Sequence, residues 1–314
     1  MHEPVSGQPM GSILDKSIIA ASTSAQQGVV ALRAPRPLMP GHLLVAPTEP
    51  VQRAIDLADE TYDALWALTM EAQADAERQG GAAASNILLK AGPAAGPPLP
   101  HLHVHVVPRR PNDLERNDWV FEALDRWAPS DAAQAARAAI AKPPVPGESQ
   151  RRKRTLEEMG IEAAGYRERR QQPVAGGPFY FATIRIDPSC IFAQTLHSVA
   201  FVNLRPLVPG HVLVSPRRAV KRLCELTPAE ATDLWRAVRS VQATVELAHG
   251  ARASELGVQD GADAGQTVPH VHVHVLPRVE MATADPSTSE RTRRAHHGRG
   301  GRGRGGHGGR GRGH

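Results

Sequence analysis

The sequence predicts an α+β protein made of two tandem copies of one domain, each an antiparallel sheet with a main helix packed on it. Three observations lead there. Arg36-Pro-Leu-Met-Pro-Gly-His42-Leu-Leu-Val-Ala-Pro47 recurs as Arg205-Pro-Leu-Val-Pro-Gly-His211-Val-Leu-Val-Ser-Pro216, identical at nine of twelve positions. Pro100-His-Leu-His-Val-His-Val-Val-Pro-Arg109 recurs as Pro269-His-Val-His-Val-His-Val-Leu-Pro-Arg278. Both pairs are 169 residues apart, as are Trp66 and Trp235, so the copies align without gaps between these motifs. The copies are expected over 11–127 and 178–280, with a linker at 128–177 and a tail at 281–314.

In the second copy, 181–187 and 198–204 read as strands, and Pro209-Gly210 turns the chain into an apolar strand over 211–215. A helix follows. Thr227 is its N-cap, Pro228 its first residue, and Glu230 closes a capping box. Leu234, Val238, Val241 and Val245 recur at helical spacing and should form its buried stripe. The last strand, 270–276, carries the histidines. Within 128–177, residues 132–141 suit a helix, whereas Pro143-Pro-Val-Pro-Gly147 and the basic run Arg151-Arg-Lys-Arg154 read as linker.

The 314 residues carry a net charge of +5, but 291–314 hold eight arginines, ten glycines and no acid, leaving the rest at −3. The basic character therefore belongs to a tail expected to be disordered, whose Arg-Gly composition resembles RNA-associating segments. Two cysteines, Cys190 and Cys224, exclude a disulfide framework. The chain has no apolar run long enough to span a bilayer. A cytoplasmic or nuclear location, with no membrane partner, is expected.

On a strand, residues i, i+2 and i+4 share a face, so His270, His272 and His274 line up while Val271, Val273 and Val275 pack behind them. Buried imidazoles need partners. A zinc site, a polar face without chemistry, and nucleophilic catalysis are three readings of such a row. No Cys or carboxylate motif accompanies the histidines, and the row occurs twice, which favours catalysis: one imidazole attacks phosphorus while its neighbours position and move protons.

With Gly265-Gln266-Thr267-Val268-Pro269 before it, this segment resembles the signature of the histidine triad (HIT) family. The similarity is greatest to the fragile histidine triad branch, the dinucleoside polyphosphate hydrolases of the bis(5'-adenosyl)-triphosphatase type. Phe201-Val-Asn203, Pro209-Gly-His211-Val-Leu-Val and Gln259-Asp-Gly261 join the likeness, and Arg116-Asn-Asp118 resembles part of that branch's C-terminal tail. The resemblance implies hydrolysis of a phosphoanhydride, such as diadenosine triphosphate to AMP and ADP, through a nucleotidyl-histidine intermediate. In that reading His272 is the nucleophile, His274 and Gln259 contact phosphates, and Asn203 contacts the ribose region. The loop of Gly265, Gln266, Thr267 and Val268 cradles the scissile phosphate, with His270 and His211 in support. Backbone N–H groups of such a loop suit developing negative charge. No protein-bound metal or cofactor is implied; Mg²⁺ or Mn²⁺ would come with the polyphosphate. Other branches, acting by phosphoramidate hydrolysis or nucleotidyl transfer, remain alternatives, as does a nucleotide- or RNA-binding adaptor.

The first copy keeps His42, His101, His103 and His105 but has Ala34 for Asn203, Lys90 for Gln259, Ala91 for Asp260, and Pro97-Pro98 for Gln266-Thr267. Two prolines delete two N–H donors. The first copy is therefore expected to be impaired, and to pair with the second as a pseudo-dimer within one chain.

Overall fold

The computed structural model describes residues 24–99, 101–117, 119–131, 150–171 and 177–279. The helix expected over 132–141 and the Arg-Gly tail lie outside the described residues. In the first copy the strands are β1 (Ser24–Gln26), β2 (Val29–Arg33), β3 (Leu43–Pro47), β4 (Ala84–Ala91) and β5 (Val104–Arg109). Helix α1 (Asp59–Gly80) lies between β3 and β4, and a short helix α2 (Trp119–Arg126) follows β5. Helix α3 (Leu156–Arg170) comes next, then β6 (Phe179–Phe181), β7 (Ile184–Ile186), β8 (Ile191–Gln194), β9 (Ser198–Val202) and β10 (Val212–Pro216). Helix α4 (Pro228–His249), β11 (Ala253–Asp260) and β12 (Val273–Arg278) complete the second copy.

Ten strands form one antiparallel sheet in the order β1-β2-β3-β5-β4-β11-β12-β10-β9-β8, and β6 and β7 make a separate hairpin. The copies join where β4 pairs with β11, from Ser85 opposite Asp260 to Ala91 opposite Ser254. Leu88 lies opposite Gly257. These two are equivalent under the 169-residue offset, so a pseudo-twofold axis passes between them. The same axis passes through Trp66 and Trp235, which stack at 3.6 Å with their planes 3° apart. Such a buried pair contributes on the order of 1 kcal/mol beyond the area it hides.

Period-2 alternation divides the sheet into two faces. Ile87, Leu89, Val104, Val106, Val212, Val214, Leu256, Val273 and Val275 turn toward α1 and α4 in one shared core. In α4 the capping box is present, Glu230 N–H donating to Thr227 Oγ1 and Thr227 N–H to Glu230 Oε2. The predicted stripe of Leu234, Val238, Val241 and Val245 is buried. The opposite face carries the histidines and α2, whose Val120 and Leu124 pack on Leu88 and Val107.

Three local readings change. The strand expected over 181–187 is the hairpin β6–β7, turned at Ala182 with φ +53°. The histidine strand becomes regular only at Val273, because Val271 N–H is drawn away to Val220 O (2.8 Å) and His270 N–H to Val268 O. The segment read as linker contains α3, with its own capping box between Thr155 and Glu158. Its Tyr166 packs on Phe192 and bonds His249. The basic run before it is not merely solvated, since half-buried Arg154 pairs with Glu162 and Arg151 donates to Arg205 O.

Candidate active site

The hydrogen bonds assign a proton to each imidazole. A carbonyl can only accept, so His270 Nε2, 2.9 Å from Pro216 O, carries hydrogen, while its Nδ1 accepts from Ala182 N–H. His272 Nδ1 lies 2.8 Å from His270 O and also carries hydrogen, leaving the lone pair on Nε2. His211 Nδ1 accepts from Leu207 N–H, so its Nε2 donates to His274 Nδ1 at 2.9 Å. The hydrogen of His274 therefore sits on Nε2, which is buried with no partner among the described residues. One row of rings thus offers a nucleophilic lone pair at His272 and an N–H donor at His274, with ring centroids 4.8 Å apart.

Both rings line a pocket of about 930 Å³. Asn203, Gln259, Gly265, Gln266, Thr267 and Val268 line it too, together with Phe181, which meets the His272 ring edge-on at 5.1 Å. Neither His270 nor His211 is in the lining: His270 stacks behind on Phe181, and His211 is fully buried beneath His274. Asn203 lies beside His211, its Oδ1 accepting from Arg205 N–H. The Gln266 side chain is committed to its own loop, accepting from Gly261 N–H and donating to Lys221 O. Gly265 has φ +86°, and a Cβ there would come within 2.9 Å of both Gln259 and Asn117, so no larger residue fits.

Asn117 belongs to the first copy. It lines the second copy's pocket, as do Arg116, Phe121 and Asp125 from the same segment, and Arg151 from between the copies. In the sequence Arg116-Asn117 resembles a C-terminal tail and Arg151 reads as linker; nothing local announces that either reaches this pocket. Fully buried Arg109 holds the segment, bonding Asp113, Asn117 and Asn86. Asn86 in turn donates to Ala264 O, next to the Gly265 loop.

Asp260, grouped with Gln259 in the sequence reading, points to the other face of β11. It is fully buried and accepts from Arg222 Nε, Gln73 and Leu223 N–H. Its replacement by Ala91 in the first copy alters the interface between copies rather than a pocket.

In the first copy the same imidazole bonds recur: His42 to His105 at 3.0 Å, His101 to Pro47 O and His103 to His101 O, both 2.8 Å. The ring of Trp127 stands edge-on to His105 at 4.9 Å.

Burial keeps the rings of His42, His211, His272 and His274 neutral. It is the main cause that lowers His272 to about 4 and His42 and His211 to about 3, the last helped by the charges of Arg151 and Arg278. His274 lies well below its ordinary 6.5, chiefly through burial. An unfolded chain protonates such rings near pH 6.5, whereas the folded one resists, so this stability is complete above 6.5 and lost as pH falls toward 4. Urea unfolding at pH 7.5 and 5.5 should differ by about 1 kcal/mol for each such ring, the acidic sample being weaker. Equal midpoints would contradict the assignment.

The profile of the HIT domain matches residues 17–112 and 186–281. The bis(5'-nucleosyl)-tetraphosphatase [asymmetrical] of Schizosaccharomyces pombe is 58% identical over 99 residues, 32% of this chain and 54% of that protein. The bifunctional bis(5'-adenosyl)-triphosphatase/adenylylsulfatase FHIT of Arabidopsis thaliana is 51% identical over 100 residues, 32% of this chain and 56% of that one. The chain thus spans about half the length of these relatives. A solved uridylyltransferase superposes over 88% of this chain and 80% of its own with a TM-score of 0.51 at 17% identity, a likeness of fold alone. The chain belongs to the HIT-domain family and carries the domain twice.

Proposed function

We propose that the second copy hydrolyses dinucleoside polyphosphates. The carrying observation is the pairing of a His272 Nε2 lone pair with a His274 Nε2–H donor in one pocket beside a glycine loop. The names of the relatives, a bis(5'-nucleosyl)-tetraphosphatase and a bis(5'-adenosyl)-triphosphatase, support the substrate class.

In the proposed reaction His272 Nε2 attacks the α-phosphorus of a substrate such as diadenosine triphosphate. The new P–N bond forms as the P–O bond to the departing ADP breaks, and the electron pair leaves with ADP. The attacking ring gains positive charge, which the His270 carbonyl stabilises through Nδ1–H. His274 Nε2–H donates to a nonbridging phosphate oxygen, and N–H groups of the 265–268 loop cradle the same phosphate. Water then attacks the nucleotidyl-histidine, giving up one proton to solvent as the P–N bond breaks, and AMP leaves with the lone pair restored to Nε2. Gln259 contacts phosphate and Asn203 the ribose side, while Arg116 and Arg151, brought by the first copy and the connecting segment, meet the remaining phosphates. Mg²⁺ or Mn²⁺ accompanies the polyphosphate as part of the substrate.

Brief incubation with radiolabelled diadenosine triphosphate, an acid-free quench and peptide mapping test the reading. Label is expected on His272. Label on another residue, or turnover with no labelled protein under rapid quench, would refute the covalent path.

A further inference from the structure

The first copy has its own occupant. Trp127, just beyond α2, is 1% exposed and packs among Ala34, Leu44, Leu38 and Leu99. Its ring centroid lies 4.9 Å from His105, 6.0 Å from His42 and 6.2 Å from His103. The offset of 169 converts the four apolar neighbours into Asn203, Leu213, Leu207 and Val268, and His103 and His105 into His272 and His274. All six line the open pocket of the second copy. The indole therefore fills the space that in the other copy stands open. Alanine at position 34, where the second copy has Asn203, removes a carboxamide from that space.

The plug is fastened at both ends. Trp127 Nε1–H donates to Arg36 O at 2.7 Å. Lys90, standing where the second copy has Gln259, pairs its buried ammonium with the part-exposed carboxylate of Asp125 on α2, and α2 itself is seated on Leu88 and Val107. The residue facing phosphate in one copy thus anchors the plug helix in the other.

We propose that the first copy retains a nucleoside-shaped pocket whose base position is taken by the chain's own Trp127, a bicyclic N–H-bearing ring of purine size, and that this shuts the copy to nucleotide. The proposal rests on reading the second copy's pocket as a nucleotide site. Removing the indole exposes a second site for a purine nucleoside monophosphate.

Equilibrium dialysis of the full chain against AMP tests it. The unsubstituted protein is expected to bind one AMP, and Trp127→Gly two, with free indole displacing only the one gained. One AMP bound by both proteins overturns the plug. No AMP bound by the unsubstituted chain, with one bound by the variant, leaves the plug standing and refutes the reading of the second copy; none bound by either refutes both. Deleting a buried Trp weakens the fold, so the variant is also melted with and without indole. A vacated indole-shaped cavity must take indole and raise the melting temperature, and an unchanged melt overturns the proposal even if the variant is poorly folded.

Discussion

His272→Asn is expected to reduce turnover of diadenosine triphosphate by about 10⁴-fold or more, the scale seen when a covalent nucleophile is removed. The asparagine amide can still donate toward His270 O, so the pocket should keep its shape and KM should move little. What disappears is the Nε2 lone pair. His103→Asn alters the equivalent ring of the first copy, which lies within 6.2 Å of the Trp127 ring, and should leave kcat within about twofold, since it touches no part of the working pocket. Steady-state chromatography of AMP release reads both variants. Equal losses would mean that both copies work, and would contradict the assignment of catalysis to the second.

Asp260→Ala should be the most damaging change away from the pocket. The carboxylate is fully buried, its acidity weakened chiefly by that burial, with Arg222 opposing. It accepts from Arg222 Nε at 3.0 Å and Leu223 N–H at 2.9 Å, and from Gln73 of the first copy, so its loss strands donors from both copies. Removing one partner of such a network typically loses about 3 kcal/mol or more; here Glu77, bonded to Arg222 twice at 2.8 Å, limits the damage to the lower end. The mirror network offers a complementary test. Arg53 pairs with Glu246 as Arg222 pairs with Glu77, but Ala91 replaces the aspartate and Arg53 Nε is buried without a partner among the described residues. Ala91→Asp should supply that acceptor and raise stability by about 1 kcal/mol. Urea titration of both variants decides; a stabilised Asp260→Ala would sink the account.

The repeats made much of this legible, because a fixed offset carries every residue of one copy onto the other. The α4 stripe and its cap could be read outright, since a capping box and apolar residues at helical spacing are both local signals. Helix α3 was legible too: Thr155 and Glu158 form the same box, and Leu156, Met159, Ala163 and Tyr166 recur at helical spacing, but the prolines before them drew the eye to a linker. The order of the imidazole protons was not legible, because it depends on carbonyls at Pro216 and His270 placed by the fold. Nor was the traffic across the axis. Arg151 and Trp127 have no motif, and the motif that holds Asn117 does not tell which pocket it joins; each acquires a role only when the sheet closes at β4 and β11.

Leu88 opposite Gly257 is a pairing that a strict twofold assembly cannot make, because identical chains must present the same residue from both sides. The bare glycine leaves a shallow seat at the centre, and Phe121 of α2 lies over it, about 4 Å from where a Cβ would project. A helix straddling a symmetry element leaves no room for its own image. Covalent fusion therefore does more than tether two halves: it licenses a single element to break the balance, completing one chamber with its side and stoppering the other with its end.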